Sequence, residues 1–329
     1  MGGTDLFSLP FRLRAASFGS ALDDGPVGRN GERSPLTVSQ YWHSFMRTSV
    51  LVPVLLSALV GLLVGCSGGD QLSYRGPEEA YQKGMAQFED GDYQQAIRLF
   101  RGVFEYGRGN EWAPKARFQL AMAQRELSKH LVAANEFRRF TELYRNSELL
   151  PRAEFERANS YYLRSPMYRL DQSDSRQGIS LFRLFIDRYP NHDLVPEAKE
   201  KIEELRGKLA RKKFEAGKLY EQRDMWNAAT TVYEEVFDQY PDTPWADDAL
   251  LGAVRAYLRY ADRSVQQKQA DRYQKAIQNY NRLTQLFPES DLVNTAEGLY
   301  SEAQNKLDRV QARDGEQSLA QEDTSGGSN

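Results

Sequence analysis

A block spanning twenty positions recurs five times along the chain: a small residue, an aromatic four positions later, a turn residue eight after that, and an alanine eight further on. The copies are Ala96, Phe100, Arg108, Ala116; Ala133, Phe137, Arg145, Ala153; Gly178, Phe182, Pro190, Ala198; Ala229, Tyr233, Pro241, Ala249; and Ala276, Tyr280, Pro288, Ala296. Residues four apart lie on one face of a helix, one turn from each other. A small residue there lets a second helix approach closely, and the ring fills the space above it. Tyr189-Pro190-Asn191, Tyr240-Pro241-Asp242 and Phe287-Pro288-Glu289 stop that helix, and Thr243 and Ser290 are placed to cap the next. Each block therefore reads as a helix, a turn and the start of another helix.

Successive copies begin 37, 45, 51 and 47 residues apart. Tetratricopeptide repeats, with a period of about 34 and an alanine, an aromatic and a proline in these relative places, resemble this pattern. The expected fold is all-α: a tetratricopeptide-repeat solenoid of five helix hairpins closed by a C-terminal capping helix. The divisions expected are residues 77–190 for repeats one to three and 191–312 for repeats four, five and the capping helix. A disordered tail is expected over 313–329.

Within the first repeat, helices are expected over Pro77 to Glu89 and from Tyr93, joined by Asp90-Gly91-Asp92. The second pairs Trp112 to Leu127 with His130 to Tyr144, and His130, at the place of Tyr93, reads as a packing residue. The third has a long joining segment, Arg164 to Arg176, which is either a partner-contact loop or a solvated insertion. The fourth opens with an unbroken run from Pro196 to Arg223, about 42 Å of helix at 1.5 Å per residue, which must project or span two parts of the array. Its basic triplet Arg211-Lys212-Lys213 reads as a solvated face. The fifth runs from Trp245 to Tyr260 and from Tyr273 to Phe287, separated by a polar stretch, with a last helix from Leu292 to Val310.

The cellular address comes from Cys66, the single cysteine, which excludes an internal disulfide. Arg47 precedes an apolar run, Val50 to Val64, that is short for a membrane span but suits a secretory signal. Leu63-Val64-Gly65-Cys66 resembles the bacterial lipobox, which implies lipidation of Cys66 after cleavage before it; an uncleaved anchor or a buried thiol is the alternative. Ser67 resembles the outer-membrane sorting pattern. Residues 46–65 are thus the expected lipoprotein signal and 66–76 a polar linker. Residues 1–45 lack periodicity and read as a non-structural extension ahead of a start at Met46, or as a long leader. Beyond residue 65 the net charge is −4, with both signs mixed, which argues against electrostatic binding of nucleic acid.

The lipobox, the five repeats, the insertion in the third, the long helix of the fourth, and local runs such as Asp90-Gly91-Asp92-Tyr93-Gln94-Gln95-Ala96-Ile97 and Trp226 with Tyr240-Pro241-Asp242-Thr243 together resemble the BamD family of β-barrel assembly lipoproteins. The resemblance implies a lipid-anchored scaffold at the periplasmic face of the outer membrane. Its N-terminal repeats would receive unfolded outer-membrane proteins and its C-terminal repeats would dock on a BamA-like barrel subunit, with other lipoproteins of the complex as further partners. Groove candidates, chosen as first-helix residues off the packing positions, are Tyr81, Gln87, Arg117, Gln124 and Tyr161. No cofactor, metal site or catalytic constellation is expected, and His43, His130 and His192 are too scattered for a metal cluster. Two other readings stay open: an envelope-coordination factor of the Tol or cell-division type, and a cell-wall-processing enzyme, which would need a catalytic domain for which no segment is left over.

Overall fold

The computed structural model describes residues 73–326, with side chains through 316; the extension, the signal and Cys66 lie outside these. Eleven α-helices and no strands are found among the described residues. They are α1 (Pro77–Glu89), α2 (Tyr93–Gly102), α3 (Ala113–Glu126), α4 (His130–Leu143), α5 (Leu150–Arg164), α6 (Ser173–Arg188), α7 (Val195–Gln222), α8 (Trp226–Gln239), α9 (Ala246–Asp262), α10 (Gln266–Leu286) and α11 (Leu292–Gly326). A 3-10 turn, Val103–Tyr106, extends α2. Each helix packs mainly on the one before and the one after it, so the architecture is a solenoid of five hairpins with α11 on the open end.

Local chemistry sets the hairpins. Proline sits in the first turn of α1, α3, α5 and α7, where a missing N–H costs nothing. The turns of hairpins one, two and four each contain a left-handed residue, Gly91 (φ 81°), Ser128 (φ 57°) and Asp224 (φ 58°). After α3 and α7 this conformation lets two backbone amides return to the helix end: Lys129 N to Gln124 O at 2.9 Å, and Met225 N to Tyr220 O at 2.9 Å.

The repeated aromatic is the centre of the packing unit in the first four hairpins, whereas Tyr280 of the fifth is half-buried. Phe100, Phe137, Phe182 and Tyr233 are fully buried, as are the alanines at 96, 116, 133, 153, 198, 229, 249, 276 and 296. A Cβ on Gly84 would lie 2.6 Å from the Phe100 ring, and Tyr233 is gripped from both sides, with Gly217 and Gly252 leaving 2.7 and 2.8 Å. Helix α7 uses its length to join hairpins. Val195, Ala198, Ile202, Leu205 and Leu209 complete the core of hairpin three, whereas Ala210 and Phe214 belong to that of hairpin four. It spans rather than projects.

Four expectations change. The joining segment of hairpin three is only residues 165–172, because α6 begins at Ser173. It is pinned to its own chain: Gln172 is buried and donates to the carbonyls of Met167 and Leu170, while Lys208 and Lys212 of α7 reach Ser165 and Leu170. Arg211 lies 4.3 Å from the Tyr168 ring and Lys213 pairs with Glu235, so the basic triplet fastens neighbouring elements instead of facing solvent freely. The polar stretch of hairpin five is mostly helix, since α9 reaches Asp262 and α10 starts at Gln266. Helical backbone also continues past Val310 to Gly326, where disorder is expected; Gln, Glu and Ala favour helix by intrinsic propensity.

The end of the linker is likewise fixed. The Tyr74 hydroxyl donates to Glu105 at 2.9 Å, its ring meets Tyr106 edge-on at 6.3 Å, and the Ser73 carbonyl accepts from Lys83 at 2.6 Å.

Candidate interaction surfaces

The first helices of the hairpins touch one another: α1 with α3, α5 with α7, α7 with α9, and α9 with α11. No pair of second helices makes a comparable contact. First helices therefore line the inner side of the array, and second helices splay on the outer side.

The five groove candidates fall unequally on this surface. Tyr81 is half-buried between the rings of Phe100 (5.9 Å) and Trp112 (5.2 Å), and burial pushes its hydroxyl pKa up. Gln87 and Tyr161 are half-buried, Gln87 near the end of α1 and Tyr161 beside Gly178. Arg117 and Gln124 are at packing positions after all. Arg117 is 8% exposed, bonded to Glu136 at 2.7 Å and lying 4.5 Å from the Phe104 ring. Gln124 is 5% exposed, and its side-chain oxygen has no hydrogen-bond partner among the described residues. A first helix in a solenoid is covered by its own partner and by the next hairpin, which leaves it a narrower free face than an ordinary amphipathic helix has. Among the described residues no hydrogen bond joins any two of the five.

Sequence reasoning missed the polar seam where hairpins two and three meet. Arg125 bonds to Glu156 across α3 and α5, and Asn159 donates to the same carboxylate at 3.1 Å. The Asn159 side-chain oxygen and His130 Nδ1 are buried with no partner among the described residues. Burial, reinforced by Arg125 and Arg164, holds the His130 pKa below its ordinary value. His130 remains a packing residue, but one at a polar boundary.

At hairpins four and five the inner side is closed differently. The Tyr233 hydroxyl donates to Glu221 at 2.8 Å, and the guanidinium of Arg255 grips the same carboxylate from α9. Burial alone would raise the Glu221 pKa, yet the Arg255 and Tyr233 hydrogen bonds hold it below the usual range. The same carboxylate and burial push Tyr233 up. Glu221 and Arg255 lie 34 residues apart, one repeat period, and a search for opposite charges at that interval would have found them. Beside them a groove of about 500 Å³ contains Phe214 and Trp245, whose rings are 5.5 Å apart. These arrangements supply hydrogen bonds, charge and aromatic faces for binding. Among the described residues no group of three or more His, Cys, Asp or Glu could hold a metal ion, and no helix is long and apolar enough to cross a membrane.

Comparison with known proteins gives this geometry a setting. Residues 75–271 match the family described as YfiO, Outer membrane lipoprotein. The outer membrane protein assembly factor BamD of Caulobacter vibrioides is 24% identical over 210 residues, covering 63% of this chain and 69% of that protein. The protein of the same name from Rickettsia prowazekii is 27% identical over 209 residues, covering 62% and 83%. That of Xylella fastidiosa is 29% identical over 97 residues, and the match spans 30% of this chain and a third (33%) of the relative. Among solved structures, a tetratricopeptide-repeat protein from Bacteroides fragilis covers 70% of the chain and 98% of its own at 14% identity and a TM-score of 0.41. The yeast Sti1 TPR2AB domain solved with pHSP90 covers 69% and 98% at 16% identity and a TM-score of 0.36.

Proposed function

Because the chain belongs to the YfiO family of outer-membrane lipoproteins, we propose that it acts in outer-membrane protein assembly as a non-enzymatic scaffold, held at the periplasmic face through lipid on Cys66. The carrying observation is that the family match runs from α1 through α9 and into the start of α10, so it includes the first helix of every hairpin. Relatives bearing the assembly-factor name match over up to 63% of the chain, which favours a place in the same complex.

In this reading the inner side of hairpins one to three receives unfolded barrel proteins. Tyr81 and Trp112, both half-buried, offer aromatic faces to an extended segment. Hairpins four and five dock on a BamA-like subunit through a surface already rigidified by the Glu221 bonds. Other lipoproteins of the complex would join at surfaces left free by these two.

The test is an affinity pull-down from detergent-solubilised outer membranes, with Cys66 intact and the tag at the C-terminus, read by mass spectrometry. A stoichiometric barrel subunit with periplasmic repeats is the expected partner, lost when residues 191–312 are deleted. Recovery of Tol or cell-wall proteins in its place would overturn the assembly reading, and retained binding by residues 66–190 alone would overturn the docking assignment.

A further inference from the structure

The outer side of the array contains a groove whose charge is not balanced by the chain itself. Between the second helices α4 and α6, with α5 as its floor, lies a cleft of about 660 Å³, within the range of about 300–1,000 Å³ usual for ligand sites. Four arginines and two glutamates line it. Both glutamates are already engaged: Glu142 with Arg138 at 2.8 Å, and Glu154 with Arg188 at 2.6 Å. Among the described residues neither Arg145 nor Arg157 has a carboxylate within ion-pair distance. Arg145 is exposed at the rim, but Arg157 is half-buried on α5, where burial, with a smaller contribution from Arg138, lowers its affinity for its proton despite the opposing pull of Tyr161, Glu142 and Glu154. A half-buried guanidinium that loses hydration without gaining an anion is costly, and cations in such places are ordinarily paired.

The wall opposite Arg157 is apolar. Leu181 and Tyr189 are half-buried there, and Leu184 is 39% exposed on the ridge shared with the next outer groove. Across that ridge Arg183 is exposed and again has no ion pair among the described residues, although Arg206 is held by Asp242. Unpaired arginines thus recur on both sides of one leucine ridge, along the spaces between successive second helices.

From this we infer that the α4–α6 cleft is a binding site for a peptide segment with a carboxylate beside a large apolar side chain, the carboxylate seated on Arg157 and the apolar group against Leu181 and Leu184. A planar guanidinium matches a carboxylate through two parallel hydrogen bonds. The wall glutamates make the cleft a poorer host for a doubly charged phosphate, and the leucine wall has nothing to offer a bare anion. The site faces away from the first-helix surface assigned to unfolded barrels, so both could be occupied together.

The probe is a fluorescein-labelled peptide, Gly-Asp-Phe-Glu-Leu-Gly amide, with its Asn/Gln counterpart as control, followed by fluorescence anisotropy on the full chain without its lipid. The carboxylate peptide should bind at least ten times more tightly than the amide control, and Arg157→Gln should remove that preference. Because Arg157 makes no hydrogen bond or ion pair among the described residues, the melting temperature of this variant should hold or rise. Equal binding of the two peptides, or an unchanged preference in Arg157→Gln, would overturn the site. A clear fall in melting temperature would also sink it, by showing that Arg157 serves a partner within the fold. Binding of anionic phosphatidylglycerol vesicles that is lost in Arg157→Gln, without carboxylate-peptide binding, would assign the cleft to lipid instead.

Discussion

Hairpins four and five differ from hairpins two and three in how they treat polar groups at the seams. In the former, carboxylates collect donors from both sides. Glu221 takes Tyr233 and Arg255; Glu234 takes Tyr257 at 2.9 Å and Asn279 at 3.2 Å; Asp262 takes Tyr273 at 2.8 Å and Lys306 at 2.7 Å. In the latter, Glu156 is satisfied by Arg125 and Asn159 and Glu136 by Arg117 and Arg139, while Gln124, His130, Asn159 and Arg117 each keep a buried atom without a partner among the described residues. The contrast is one of degree, since Trp226 and Asn279 also keep such atoms. Networks with every member bonded stiffen a structure, whereas a buried polar atom left without a partner costs free energy. One end of the array is built to hold a shape; the other carries more buried polar atoms that the described residues leave without a partner.

The largest expected effect probes the repeat register on the stiff side. Ala229 is fully buried in the cluster around Tyr233, so Ala229→Leu should overpack it and cost about 3 kcal/mol; an unchanged melting temperature would count against the packing described. Next is Glu221→Gln, which leaves the buried Tyr233 hydroxyl with a weaker acceptor and Arg255 unneutralised. A loss of about 2 kcal/mol is expected from chemical denaturation. If the loss were no greater than that for an exposed pair such as Arg138–Glu142, the closed network would not be what distinguishes this half.

On the other side the sign should reverse. Gln124→Leu removes a buried oxygen that lacks a partner, so stability should hold or rise by up to about 1 kcal/mol, and marked destabilisation would mean that the oxygen is satisfied after all. The smallest effect is the pH response of His130. Its folded pKa lies below the unfolded value of about 6.5, so the unfolded chain binds the proton more readily. Stability should therefore fall as pH drops through that value, the fall ending once the folded pKa is passed. Melting temperatures at pH 7.5 and 5.5 should differ less in His130→Asn than in the parent chain; equal differences would remove His130 from the pH response.

Most of the hairpin frame is visible in the sequence, because a small residue and an aromatic four apart, followed by a proline stop, report a packing geometry that tolerates few substitutes. Gly84, Gly217 and Gly252 show the reason, since each leaves a gap that only a ring from another helix fills. Residues 262–271 were less visible because polarity there follows solvent exposure, not the absence of helix, and the end of α11 because Gln, Glu and Ala form helix readily. The surfaces were least visible. Arg117 reads as a free charged residue until Glu136, 19 positions away, and the Phe104 ring are seen to cover it. Arg157 reads as one arginine among many until the pairs Arg138–Glu142 and Arg188–Glu154 leave it alone.

Tyr74 sets a length scale for everything else the molecule does. Its bond to Glu105 fixes the chain to the first hairpin eight residues after Cys66. With the proposed lipid at Cys66, the slack between bilayer and folded array is at most about 27 Å, at about 3.4 Å per extended residue. Such a leash turns a search through the periplasmic volume into one over a thin layer beside the membrane, where a partner embedded in the same bilayer is met at a high effective concentration. Weak individual contacts along the array could then suffice for a lasting assembly, and lengthening the leash, without touching any contact surface, would loosen it.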